Sequence, residues 1–140
     1  MKRRPDPHPI ADEQRRVRIP VDLIRRAARR LAGRRGLSIA FVTNAAIRRI
    51  NRRFLGHDWA TDVLSFPMGG ALLGELVISA EYARAEARGR GIPVEEELLR
   101  CVVHGILHLR GYDDRRVADR KRMWARQERE LRAILDGRRG

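Results

Sequence analysis

The sequence predicts a single mixed α/β (α+β) domain built from four short strands and five helices. Three observations carry that prediction. The 140 residues fit one domain by the usual length prior and suffice to bury a core. Apolar residues recur with the period of a strand in some segments and of a helix in others. Glycine and proline fall between those segments, where a chain must turn.

Each element has its own justification. Residues 1–15 hold Pro5, Pro7 and Pro9 among charges and read as a flexible basic arm, followed by the domain proper at 16–136. RVRIP at 16–20 reads as a first strand. Val21, Leu23, Ile24, Ala27, Ala28 and Leu31 then fall at helical spacing, with Arg25, Arg26, Arg29 and Arg30 opposite them and Gly33 and Gly36 at the end. Residues 37–43 read as a second strand, and Asn44 as the cap of a short helix whose outer face carries Arg48, Arg49, Arg52 and Arg53. TDVLSF at 61–66 and LLGELVIS at 72–79 are β-rich runs separated by Pro67, Gly69 and Gly70, which makes them neighbouring strands. Ser79 can cap a helix running to about Gly89. Residues 95–109, EEELLRCVVHGILHL, are acidic where a helix dipole favours carboxylates and apolar almost all round thereafter, so this helix should be central. A last helix over about 118–135 offers Met123, Trp124, Leu131 and Leu135 as apolar contacts; Trp59 and Trp124 read as packing residues rather than base-stacking platforms.

Composition bounds the function. The single cysteine, Cys101, cannot form an internal disulfide or a thiolate cage, and no stretch approaches the roughly 20 apolar residues of a membrane span. A cytoplasmic setting is expected. The 31 Lys and Arg against 18 Asp and Glu give a net charge of +13, which favours polyanionic partners. Residues 1–36 carry net +8, 37–58 net +3, 59–114 net −4 and 115–140 net +6. Basic flanks around an acidic middle could hold a phosphate backbone about a site where a cation supplies positive charge. All bases but Lys2 and Lys121 are arginine, which genomic base composition would equally produce.

The chemistry concentrates in residues 104–114. His104 and His108 stand four apart, which puts both imidazoles on one helix face within reach of a single cation. Alone, that spacing also suits a satisfied structural pair. Gly111 can take the left-handed conformation that ends the helix, so that Tyr112, Asp113 and Asp114 return toward the same face with a carboxylate. Two His and one Asp leave a coordination position open, the mark of a catalytic rather than a structural metal, and hydrolysis is the economical expectation.

HGILHLRGYDD at 104–114 resembles the HGxLHLxGYDH signature of the bacterial YbeY family of rRNA-maturation endoribonucleases. NRRFLGHDWATDVLSFP at 51–67 is similar to that family's NxxYRxKDxxTDVLSFP stretch, and LGELVIS at 73–79 to its GDIxIS, in the same order. The resemblance implies a four-stranded, mostly parallel sheet ringed by helices, with a zinc site at the C-terminal end of a central helix. It further implies a single-strand-specific endoribonuclease acting near the 3′ end of small-subunit (16S) rRNA, with roles in ribosome quality control and with ribosomal particles or assembly factors as partners. His104 and His108 carry over as ligands, whereas Asp114 stands where the signature has a third His. An aspartate there would still bind Zn2+ and would also suit harder divalent metals. Asp113 matches a family Asp and reads as a turn-capping or ligand-supporting carboxylate.

Other departures shift the expected substrate contacts. Leu55 replaces a family Arg and His57 a family Lys, so Arg52 and Arg53 are the nearest alternatives for gripping phosphate, and His57 becomes a weak candidate for phosphate binding or acid–base work. Gly105 occupies the position where zincin proteases carry their general base in HExxH, which leaves as the base a metal-bound hydroxide, the substrate's own 2′-hydroxyl, or a carboxylate such as Glu75 or Asp62 brought in from the strands. A second reading is a non-enzymatic RNA-binding assembly factor in which a metal merely ties 111–114 to the helix. A third, a metallopeptidase, is opposed by Gly105 and by the charge.

Overall fold

The computed structural model describes residues 5–137. Strands β1 (Ile10–Asp12), β2 (Gly36–Val42), β3 (Val63–Pro67) and β4 (Leu72–Ser79) form one sheet in the order β1-β2-β4-β3. β1 and β4 run parallel to β2, and β3 pairs antiparallel with β4. This is the mostly parallel mixed sheet that the family resemblance implies. Helices α1 (Val21–Leu31), α2 (Asn44–Leu55), α3 (Ala80–Arg90), α4 (Val94–Leu109) and α5 (Val117–Gly137) complete the domain.

Helix α4 is its axis. Leu98, Leu99, Val102, Val103 and Ile106 are fully buried and share one cluster with Ile24 and Ala27 of α1, Leu76 and Ile78 of β4, and Leu131 of α5. Local chemistry fixes the neighbouring helix starts. The Ser79 hydroxyl accepts from the Tyr82 backbone N–H at 3.2 Å and so caps α3. Thr43, not Asn44, caps α2, its hydroxyl accepting from the Ala46 N–H; the Asn44 side chain instead accepts from the Ser79 hydroxyl at 2.7 Å.

The first strand corrects the sequence reading. The sheet takes Ile10–Asp12, not 16–20, as its outer strand, so within the expected basic arm residues 5–15 lie against the domain, while residues 1–4 fall outside the described residues. The prolines conceal this strand without preventing it. The carbonyls of Pro7 and Pro9 accept from the Leu37 and Ile39 N–H groups at 2.8 and 3.0 Å, so at these positions the segment is held through the acceptors that proline retains. Residues 16–17 are drawn off the ladder by Gln14, whose side-chain oxygen accepts from the Arg16 and Val17 N–H groups while its amide donates to the Val17 carbonyl. Val17 and Ile19 still reach the core from this non-strand segment. The tryptophans also depart from expectation: Trp59 and Trp124 are 58% and 50% exposed, so neither is a core residue.

Between α4 and α5 lies a charged network. The Arg100 guanidinium donates to both carboxylate oxygens of Glu128, at 3.0 and 2.9 Å, and to Glu97 at 2.8 Å, and Arg90 reaches the same Glu97 oxygen at 3.1 Å. Glu130 accepts from Arg30 at 2.5 Å and from Arg126 at 3.0 Å. Burial alone pushes the Glu128 and Glu130 carboxyls up, but the hydrogen bonds and charge of these arginines outweigh it and hold both below the ordinary glutamate value of 4.5. Carboxylates depressed in this way stabilise the fold fully above that value and lose the contribution as pH falls through their folded-state values. The melting temperature should therefore drop as pH is lowered below about 4.5, and Glu128→Gln should flatten that drop in scanning calorimetry. No helix among the described residues is long and apolar enough to cross a membrane.

Candidate metal centre

The centre is assembled at the C-terminal end of α4, and its position is set by a glycine. A Cβ on Gly105 would stand 2.7 Å from a Leu76 methyl and 3.2 Å from one of Val63, so only a bare Cα lets the helix lie this close to the sheet. The Ser65 hydroxyl of β3 donates to the Gly105 carbonyl at 3.2 Å across the same contact. A protease-type glutamate cannot be housed here, because position 105 faces packed methyl groups. Gly111, at φ +98°, then reverses the chain, and the Tyr112 N–H closes the helix end on the Leu107 carbonyl at 3.0 Å.

This reversal converges three side chains. The Nε2 atoms of His104 and His108 lie 3.1 Å apart, and an Asp114 carboxylate oxygen lies 3.4 Å from His108 Nε2. One ligand atom from each of the three falls within 4.8 Å of the others. The imidazoles are half-buried, and the Asp114 side chain keeps 47% of its surface exposed.

Hydrogen bonds on the far side of each ring decide what the near side offers. His108 Nδ1 lies 3.1 Å from the Tyr112 backbone carbonyl, which can only accept, so Nδ1 carries the proton. His104 Nδ1 lies 2.7 Å from Gln127 Oε1, and the Gln127 amide nitrogen is committed to Glu128 at 3.0 Å, so this Nδ1 too is the donor. Rings held in that way turn both Nε2 atoms toward each other and toward a carboxylate. Three electron-pair donors aimed into one space repel unless a cation lies among them, and the imidazole and carboxylate set suits Zn2+ or another divalent ion. The residues present fit a metal.

Gln127 was not legible as a site residue, although one signal existed. It interrupts the apolar stripe of α5, standing between Met123 and Leu131, and is only 2% exposed. Because it fixes the ring orientation of His104, Gln127→Leu should weaken metal affinity about 10–100-fold, as competition with a chromophoric chelator would read.

A cleft of about 690 Å3 opens beside the cluster, between α4 and the segment joining α2 to β3. His57, Asp62, Ser65 and Arg115 line it together with His104, His108 and Asp114. The His57 ring stacks on Trp59 at 4.6 Å. Asp62 Oδ1 accepts from the Val63 N–H at 2.8 Å. Glu75 is exposed on β4 opposite Phe66 and does not line the cleft, so of the two strand carboxylates the sequence offered, the fold brings in Asp62. Asp113 caps the turn, accepting from the Arg115 N–H at 3.0 Å. Arg52 lies 4.0 Å from Asp58 and Arg53 sits over the Phe54 ring at 5.4 Å; both are on the outer face of α2 and neither lines the cleft. Arg115, adjacent to Asp114, is the cation the fold adds there.

Comparison with known proteins identifies the family. The family model described as Endoribonuclease YbeY matches residues 10–135. An endoribonuclease YbeY of Anaeromyxobacter dehalogenans is 47% identical over 123 residues, covering 76% of this chain and 63% of that protein, so the match spans less than two thirds of that relative's length. The Solibacter usitatus endoribonuclease YbeY is 44% identical over 126 residues, covering 84% of each chain. One from Geobacter metallireducens is 38% identical over 142 residues, covering 91% of this chain and 94% of that one. A solution structure of a Thermotoga maritima protein matches with a TM-score of 0.68 at 27% identity, covering 93% of this chain and 91% of that one. The chain belongs to the YbeY endoribonuclease family, with an aspartate, Asp114, at the place where the family signature has its third histidine.

Proposed function

We propose that this protein is a metal-dependent endoribonuclease that cuts single-stranded RNA and acts in 3′-end maturation and quality control of the small ribosomal subunit. The observation that carries this reading is the convergence of His104 Nε2, His108 Nε2 and the Asp114 carboxylate at the mouth of a cleft. A divalent ion held there would polarise a phosphoryl oxygen and lower the pKa of a water. Zn2+ suits the imidazoles, and the aspartate admits harder ions.

The chain's own groups do the remaining work. Arg115 lines the cleft beside Asp114 and would grip the scissile phosphate. His57, held flat against Trp59, would orient that phosphate or transfer a proton to the leaving oxygen. Asp62 keeps one carboxylate oxygen free of the Val63 hydrogen bond, and that oxygen is the proton acceptor position 105 cannot provide. Arg52 and Arg53 would meet the flanking backbone outside the cleft. The +13 charge supplies salt-sensitive affinity for RNA and for ribosomal particles.

The test is direct. Protein stripped with a chelator should not cut a single-stranded RNA carrying the small-subunit 3′-end sequence, and adding Zn2+ or Mn2+ back should restore cleavage. Cleavage that persists unchanged after verified metal removal would overturn the reading.

A further inference from the structure

One face of α5 carries side chains that the cleft chemistry does not use. Trp124 follows the fully buried Met123 yet leaves half of its own surface in solvent. It lines a second cavity of about 360 Å3, apolar over nearly all its lining, which His104 and Asp114 also line. Arg120 and Lys121 stand one turn before Trp124 and Gln127 one turn after it; all four line this cavity. Gln127 is itself the partner of His104 Nδ1. Arg120 and Lys121 have no acidic partner among the described residues.

We propose that this cavity is a nucleobase subsite. One unstacked base of a single strand lies against the Trp124 indole, and Arg120 and Lys121 hold the phosphate next to that base. An apolar recess suits a flat aromatic ring. Two uncommitted cations on its rim suit a polyanion, and an aromatic platform beside cations is how proteins hold single strands without reading duplex geometry. The walls shared at His104 and Asp114 set the base beside the His104, His108 and Asp114 cluster, so the strand would run from the cleft of His57 and Arg115 across the cluster to α5. A base still stacked in a duplex could not enter. This inference rests on the endoribonuclease reading and deepens it, assigning Trp124 as a determinant of single-strand specificity.

Binding to metal-free protein tests it apart from cleavage. In a Trp59→Phe background Trp124 is the sole tryptophan, and a short single-stranded oligoribonucleotide should quench its fluorescence saturably whereas a blunt duplex should not. Trp124→Ala should weaken single-strand affinity roughly five- to a hundredfold, the range expected for one base stacked on an aromatic ring, and Trp124→Phe should recover most of it. An oligonucleotide with one abasic position should bind wild-type protein more weakly, with no such loss in Trp124→Ala. Arg120→Gln and Lys121→Gln should each lower the salt slope by about one. Trp124 is exposed, and unchanged melting temperatures would show these variants folded. Equal affinity of Trp124→Ala and wild type, or absence of quenching while RNA binds, would overturn the subsite. Quenching that stands with no cleavage under any metal would instead remove the nuclease reading and leave the subsite in place.

Discussion

Replacing His108 with alanine will abolish RNA cleavage while leaving the fold and the affinity for RNA nearly intact. His108 supplies an electron pair at the point where the three donor groups meet, 3.1 Å from His104 Nε2 and 3.4 Å from Asp114. Its removal leaves one imidazole and one carboxylate, too few ligands to hold a divalent ion against water. The rate should fall by more than the roughly 10–100-fold that a supporting hydrogen bond such as that of Gln127 contributes. Affinity for RNA should change little, because it is set by phosphate contacts spread over the basic surface. Metal content per chain, initial cleavage rate and salt-dependent RNA binding, measured on the same preparation, separate these effects. A variant that cuts at the wild-type rate would exclude this cluster as the seat of the chemistry.

The largest effect on stability is expected at Arg100. Its side chain is 8% exposed and gives four hydrogen bonds, one to Glu96, one to Glu97 and two to Glu128. Arg100→Ala would leave Glu97 in the protein interior with only the partly exposed Arg90 opposite it. Breaking a buried pair from one side costs about 3–5 kcal/mol, chiefly because the remaining charge has lost its solvation without compensation. For a chain of this size that corresponds to roughly 10–20 °C in melting temperature. The damage should reach the metal centre, because Glu128 anchors the Gln127 amide that orients His104. Removing the charges together, as Glu97→Leu with Arg100→Met, should cost distinctly less than Arg100→Ala alone, and the double-mutant cycle measures the difference.

The same contrast between local and distant contributions explains what the sequence made legible. Helix α4 was readable to within a residue because Pro93, three glutamates and Gly111 mark its two ends. His104, His108 and Asp114 were readable because all lie within eleven residues and one helical turn brings the imidazoles together. Gln127 was not, since it joins His104 from another helix 23 positions later, and only a polar break in an apolar stripe marked it. Trp124 reads as an apolar contact of the last helix and lies at the surface, because helical phase places Met123, not its neighbour, on the buried side. The outer strand escaped detection for a different reason: Pro7 and Pro9 are depleted in strands for the donor they lack, and this strand draws on acceptors there.

Those prolines also bear on how the molecule behaves at high concentration. β1 is three residues long and follows Pro9 directly, and β3, at the opposite margin, ends on Pro67. Neither margin presents a long uninterrupted row of free amides, so a strand from another copy finds little to zip onto, and self-association through edge-to-edge growth into fibrils is discouraged at both flanks.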